Sequence, residues 1–168
     1  MTEGMSGNSD PVSLRRGVLF VCLANICRSP AAAAVFSALA QRRGLLAQVV
    51  VDSAGTSGYQ QGEPPDPRMA AAARRRGYSL AGFARAVTTA DLEQFDLIVA
   101  MDRANLRDLE AMAVPRARPP RLLGEFLPPG WPLEVPDPYY RGDLGFEQVL
   151  DMLEEACPAI LDELLVDA

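Results

Sequence analysis

The 168-residue chain has no histidine, and because all 16 of its basic residues are arginine it has no lysine either. The first absence removes imidazole as general base, nucleophile or metal ligand. The second removes Schiff-base chemistry, so proton transfer falls to Asp, Glu, Tyr or Cys. Cysteine is sparse, with 3 residues at positions 22, 27 and 157. An odd count excludes a fully paired disulfide framework, and the spacing lacks the close pairs of a zinc site. Free thiols in a reducing compartment are expected. No segment approaches the ~18 apolar residues of a membrane span. Residues 1–13 are polar, lack a signal-peptide core and read as a flexible tail ahead of one domain over 14–168. The expected location is the cytoplasm, without membrane attachment. A net charge of −6 argues against nucleic acid as a partner.

What is present is an ordinary globular composition, 49% hydrophobic, with room for one core. Val18–Val21 is a continuous apolar run, the pattern of a strand buried on both faces. Ser29-Pro30 then offers an N-cap and a first-turn proline for an alanine-rich helix over Ala31–Ala40 that ends near Gly44. Val49–Val51 reads as a second strand and Ser53–Pro67 as a loop. Asp66-Pro67 opens a helix to Arg76, and 91–95 suits a short helix. Asp96–Met101 holds a third strand, Ala104–Met112 a helix, and Arg121–Leu123 an edge strand. Trp131–Tyr140 is a proline-punctuated loop, and Leu144–Leu165 a closing helix with a kink expected at Pro158. Arg74-Arg75-Arg76 reads as a solvated helix end, and Cys157 as a core cysteine. Strands alternating with helices imply a single α/β domain whose parallel sheet is covered on both faces. Ligands of such folds sit at the carboxyl ends of the strands, where Cys22 falls.

The segment Cys22-Leu23-Ala24-Asn25-Ile26-Cys27-Arg28-Ser29-Pro30 places a cysteine at a strand end, an arginine six positions on, and a helix directly after. So short a loop can turn the N–H groups of Leu23, Ala24, Asn25, Ile26 and Cys27 inward as a nest for an anion, aided by the helix N-terminus. Arg28 adds a planar fork that holds two phosphate oxygens. The same field favours Cys22 as thiolate nucleophile, with Ser29 as a hydroxyl donor to sulfur. Asn25 suits a left-handed backbone position. Taken singly, Cys22 reads as a buried cysteine and Arg28 as a surface charge; the strand–loop–helix context favours a phosphate site.

These residues resemble those of the low-molecular-weight protein tyrosine phosphatases. The loop Cys22–Pro30 is similar to the family signature, and Asp52-Ser53-Ala54-Gly55-Thr56 to the end of its second strand. Pro65-Asp66-Pro67-Arg68 is similar to its second helix start. Phe95–Asp102, followed by Asn105-Leu106, resembles its third core strand, and Pro136-Asp137-Pro138-Tyr139-Tyr140 the loop that bears its general acid. The resemblance spans nearly the whole chain after the tail. It implies a four-stranded parallel sheet flanked by helices on both faces, in flavodoxin-like layering. It further implies that Cys22 attacks phosphorus to form a cysteinyl-phosphate. Arg28 and the loop amides would hold the equatorial oxygens. Asp137 would protonate the departing phenolate and then activate water. Inorganic phosphate would leave as product. Neither metal nor cofactor is called for, since Arg28 and the amides carry the charge stabilisation.

The chain departs from the family pattern in three places. Ala24 replaces a usual glycine, which would be strained if that residue had a positive φ. Gln60 follows Tyr59 where many members have Trp and then His or Asn. Gly82-Phe83 lacks the histidine that commonly supports the loop asparagine, so Asn25 is expected to be held differently, through Ser53.

Ile26 leaves the pocket floor apolar, and Tyr59, Tyr139 and Tyr140 line a slot for a flat ring. The related arginine phosphatases carry Thr at the position of Ile26 and lack the tyrosine pair, which favours phosphotyrosine over phosphoarginine. Arsenate reductases of the same fold need a further cysteine pair, yet no cysteine lies between Cys27 and Cys157. A non-catalytic phospho-ligand binding module would have lost nucleophile or acid. The expected partners are phosphotyrosine proteins or peptides, met by a monomer. A reversible Cys22–Cys27 disulfide and plain packing of Cys27 beneath the loop stay open as alternatives.

Overall fold

The computed structural model describes residues 15–115 and 118–166, with the backbone alone at Tyr140. The expected tail over 1–13 lies outside them. Four parallel strands form one sheet in the order β2-β1-β3-β4. They are β1 (Arg16–Cys22), β2 (Val49–Gly55), β3 (Leu97–Ala100) and β4 (Arg121–Leu122). Among the described residues five α-helices connect and cover them: α1 (Arg28–Arg42), α2 (Pro67–Arg75), α3 (Thr89–Gln94), α4 (Arg103–Ala111) and α5 (Asp143–Val166).

The apolar run in β1 is continuous because the sheet is buried twice over. Val18, Phe20 and Cys22 face α1, α2 and α5, while Leu19 and Val21 face α3 and α4. Phe146, Val149, Leu150, Leu153, Ile160 and Leu164 of α5 are all buried in the larger cluster. Burial of each such side chain is worth about 1.5–3 kcal/mol, so α5 is held by its apolar stripe. It runs unbroken across Pro158. No helix among the described residues is long and apolar enough to cross a membrane.

Three local expectations change. β2 continues through Ser53 to Gly55, as the resemblance implies, where the apolar pattern alone ends it at Val51, since each of its residues pairs with β1, up to Cys22 with Gly55. Helix α1 begins at Arg28, so Ser29 lies inside its first turn. Its cap is Cys27, whose side chain makes no capping hydrogen bond. Arg74 and Arg75 are exposed as expected, but Arg76 is not a solvated end: it bonds Glu147, Asp151 and Glu154, and with Arg75 on Glu147 it clasps α2 to α5.

Candidate active site

The loop between β1 and α1 is shaped from outside. The carbonyls of Cys22, Leu23 and Ile26 accept from the N–H groups of Thr56 (2.9 Å), Ser57 (2.9 Å) and Asp66 (2.8 Å). Among the described residues, the N–H groups of Ala24, Asn25, Ile26 and Cys27 donate to no backbone carbonyl. They are left for an anion, together with the uncapped first turn of α1. Gly55 makes the close approach of β2 possible. A Cβ there would meet Leu23 O at 2.7 Å and Ala24 C at 3.1 Å.

Asn25 is the pivot of the loop and sits at φ +60. Its Nδ2 donates to Ser29 Oγ (2.8 Å) and Ser53 Oγ (2.9 Å), and its Oδ1 accepts from the backbone N–H of Arg85 (3.0 Å). Ser53 thus lies behind Asn25, and a main-chain donor completes the support. Arg85 is itself fixed by Asp91 and Asp52. Ala24 lies outside the positive-φ residues, so alanine there carries no strain.

Ser29 Oγ lies 2.9 Å from Cys22 Sγ. Because this oxygen already accepts from Asn25, its proton is directed to the sulfur or to Ala54 O at 3.4 Å. Arg28, 3% exposed, has both NH1 donors spent, on Asp102 Oδ2 (2.7 Å) and Val135 O (3.0 Å). Its Nε–NH2 edge therefore remains for a ligand, in the bidentate geometry a phosphate needs. Burial opposes the Arg28 charge, but Cys22, Asp102 and Asp137 outweigh it and raise the pKa above its ordinary value.

Asp102 is a functional residue that sequence reasoning missed. It caps α4, with Oδ1 accepting from Asn105 N (2.8 Å), and its other oxygen orients Arg28. The signal was the Asp-x-x-Asn that follows β3. The Val135 carbonyl is the second missed element. Its residue is pinned by Val135 N to Met101 O (2.9 Å), and Leu133 lies directly on Gly124.

Asp137 caps the 3₁₀ turn Pro138–Tyr140, with Oδ1 accepting from Tyr139 N at 3.1 Å. Its Oδ2 stands 3.7 Å from Arg28 NH2. Cys22, Leu23, Ala24, Ile26, Cys27, Arg28, Asp137, Tyr59, Gln60 and Tyr139 enclose one pocket of about 220 Å³. The side chain of Tyr140 lies outside the described portion of the chain. Cys27 is buried, and burial first, then the nearby Asp66 and Cys22, pushes its thiol pKa well up. Arg68 braces the rim: it bonds the Asp66 carboxylate, donates to Tyr139 O (3.1 Å), and lies over the rings of Tyr139 and Phe146.

Residues 17–167 match the family model described as "Low molecular weight phosphotyrosine protein phosphatase". A Streptomyces coelicolor low molecular weight protein-tyrosine-phosphatase is 45% identical over 148 residues, covering 86% of this chain and 90% of its own. The crystal structure of a protein tyrosine phosphatase from Entamoeba histolytica with Hepes in the active site superposes with a TM-score of 0.84 at 40% identity, over 89% of this chain and 96% of that one. A Drosophila arginine phosphatase structure superposes with a TM-score of 0.81 at 32% identity, over 90% and 99%.

Proposed function

The chain belongs to the low molecular weight phosphotyrosine protein phosphatase family, and on that premise we propose that it hydrolyses phosphotyrosine monoesters with Cys22 as nucleophile. The observation that carries this is the meeting of Cys22, the Arg28 edge and Asp137 in one pocket. The phosphate sits in the loop amides of Leu23 through Cys27 and against Nε and NH2 of Arg28. The Cys22 sulfur attacks phosphorus as the P–O(aryl) bond breaks, and Asp137 gives its proton to the departing phenolate. The Asp137 carboxylate next takes a proton from water. The resulting hydroxide displaces the sulfur, which leaves as thiolate with its charge held by the Ser29 hydroxyl, and inorganic phosphate departs. Charge on the transferring group is stabilised by fixed donors that need no reorganisation.

Ile26 at 9% exposure, with Tyr59 and Tyr139 at the rim, supports an aromatic leaving group over a guanidinium. The arginine phosphatase reading keeps the mechanism and changes only the substrate. We read the enzyme as a cytoplasmic monomer that acts on phosphoprotein substrates. The test is initial rates on phosphotyrosine, phosphoarginine and phosphoserine peptides with wild type, Cys22→Ser and Asp137→Ala. Phosphotyrosine turnover lost in Cys22→Ser and strongly reduced in Asp137→Ala is expected. Preference for phosphoarginine overturns the substrate; binding without turnover overturns the enzyme.

A further inference from the structure

A second, open groove of about 580 Å³ adjoins the pocket, and Asp137 borders both. Asp102, Arg103, Leu133, Glu134 and Arg141 line it with Asp137. Its three carboxylates are all engaged. Asp102 holds Arg28 and caps α4, Glu134 Oε1 accepts from Arg103 N (2.9 Å), and Asp137 faces Arg28 and Tyr139 N. The two guanidinium groups are in the opposite condition. Arg103 and Arg141 are exposed, and neither has a side-chain partner among the described residues.

Neither arginine is explained by the stability of its own element. Arg103 is the first residue of α4, where a cation opposes the helix dipole. Arg141 follows the 3₁₀ turn, its N–H fixed to Pro138 O at 3.0 Å, and its Cβ lies where a side chain on Gly145 would intrude, at 2.7 Å. Its base is thus held while its charged end meets no partner among the described residues. Leu133, 49% exposed, adds an apolar surface between polar walls.

We propose that this groove is a subsite for the polypeptide that flanks the phosphotyrosine, and that Arg103 and Arg141 receive acidic side chains there. The proposal rests on the reading of Asp137 as part of the catalytic pocket, because that shared wall makes groove and pocket continuous for one extended peptide. The complementary partner is an acidic substrate segment, the one charge type the two exposed guanidinium groups attract. The overall charge of −6 repels such a segment, so a local attraction selects where it lands.

The experiment measures kcat/KM for para-nitrophenyl phosphate and for phosphotyrosine peptides with neutral flanks, acids before the phosphotyrosine, or acids after it. The proteins are wild type, Arg103→Ala, Arg141→Ala, the double Arg103→Glu/Arg141→Glu variant, and Arg107→Ala. Arg107 is exposed on the same helix but outside the groove, so it controls for net charge. Wild type should prefer one acidic series, in a salt-sensitive way. Each alanine variant should lower kcat/KM for that series about threefold relative to the neutral peptide, the scale of an exposed ion pair. The effect should lie in KM. The double variant should reverse the preference, and Arg107→Ala should keep it. Equal rates on all peptides, or a preference that survives the double reversal, overturn the groove and leave the phosphatase reading intact. Failure of wild type on every phosphotyrosine substrate overturns both.

Discussion

Asp102→Asn separates the orientation of Arg28 from everything else Asp102 does. Asparagine keeps a side-chain oxygen for Asn105 N, and Asn and Asp are near-equal N-caps, so α4 should retain its start. What is lost is both the charge and the acceptor at Arg28 NH1, because the amide NH2 then faces a donor where a 2.7 Å contact is made at 3% exposure of the arginine. Breaking one side of a buried ion pair costs roughly 3–5 kcal/mol. Here Arg28 keeps Val135 O and Asp137, and Asp102 is 23% exposed. The expected loss is therefore smaller, about 2 kcal/mol, read as a lower urea midpoint at unchanged slope. The kinetic effect should be larger in proportion. A guanidinium free to rotate no longer presents Nε and NH2 together, and one misplaced charge-stabilising donor lowers kcat by about 10²-fold. Asp102→Ala should add about 1 kcal/mol of lost capping with little further change in kcat. Wild-type kcat/KM on a phosphotyrosine peptide in Asp102→Asn would refute the assignment of Asp102 as the residue that positions Arg28.

A Cβ on Gly124 would stand 2.1 Å from Leu133 O. Gly124→Ala should therefore push the 131–135 segment off its seat, lowering stability by about 1–3 kcal/mol as overpacking does and reducing kcat, measured by urea titration and initial rates. Arg68→Met keeps a long side chain over Tyr139 but loses the bonds to Asp66 and Tyr139 O. It should lower kcat several-fold and stability by about 1 kcal/mol, because the Asp66 carboxylate, 6% exposed, loses its guanidinium partner, as seen by initial rates and thermal melting. For Asp66 and Asp91, burial pushes the pKa up, but hydrogen bonds from Arg68 and Arg85 outweigh it and hold both below the ordinary 3.8. Their contribution to stability is complete above that value and fades as pH falls through the lowered native values. Asp66→Asn and Asp91→Asn should each flatten the acid limb of a Tm-against-pH curve. Burial raises the thiols of Cys27 and Cys157 above the ordinary 9.0, so stability should decline as pH rises past it, and less steeply in Cys157→Ala.

The site was legible where its logic is local. Strand, cysteine, arginine and helix fall within nine residues, and nothing distant is needed to see that an anion belongs among them. Ser29 was misread as a cap by the same local logic. A serine before an alanine-rich run satisfies every rule of an N-terminus, yet its hydroxyl is taken by Cys22 and Asn25, so the helix starts earlier and stays uncapped. Asp102 was hidden for the complementary reason. Its pairing with Asn105 explains it fully as a cap, and the Arg28 it orients is 74 positions away. The support behind Asn25 was foreseen at Ser53, but the other partner is the backbone N–H of Arg85, and a main-chain donor leaves no mark in residue identity. The same holds for Val135 O and the loop carbonyls. Side chains that create charge are visible in the sequence; the groups that aim those charges are mostly backbone or doubly employed caps, and only the packing of β2, β3 and the 131–137 segment around the loop brings them into view.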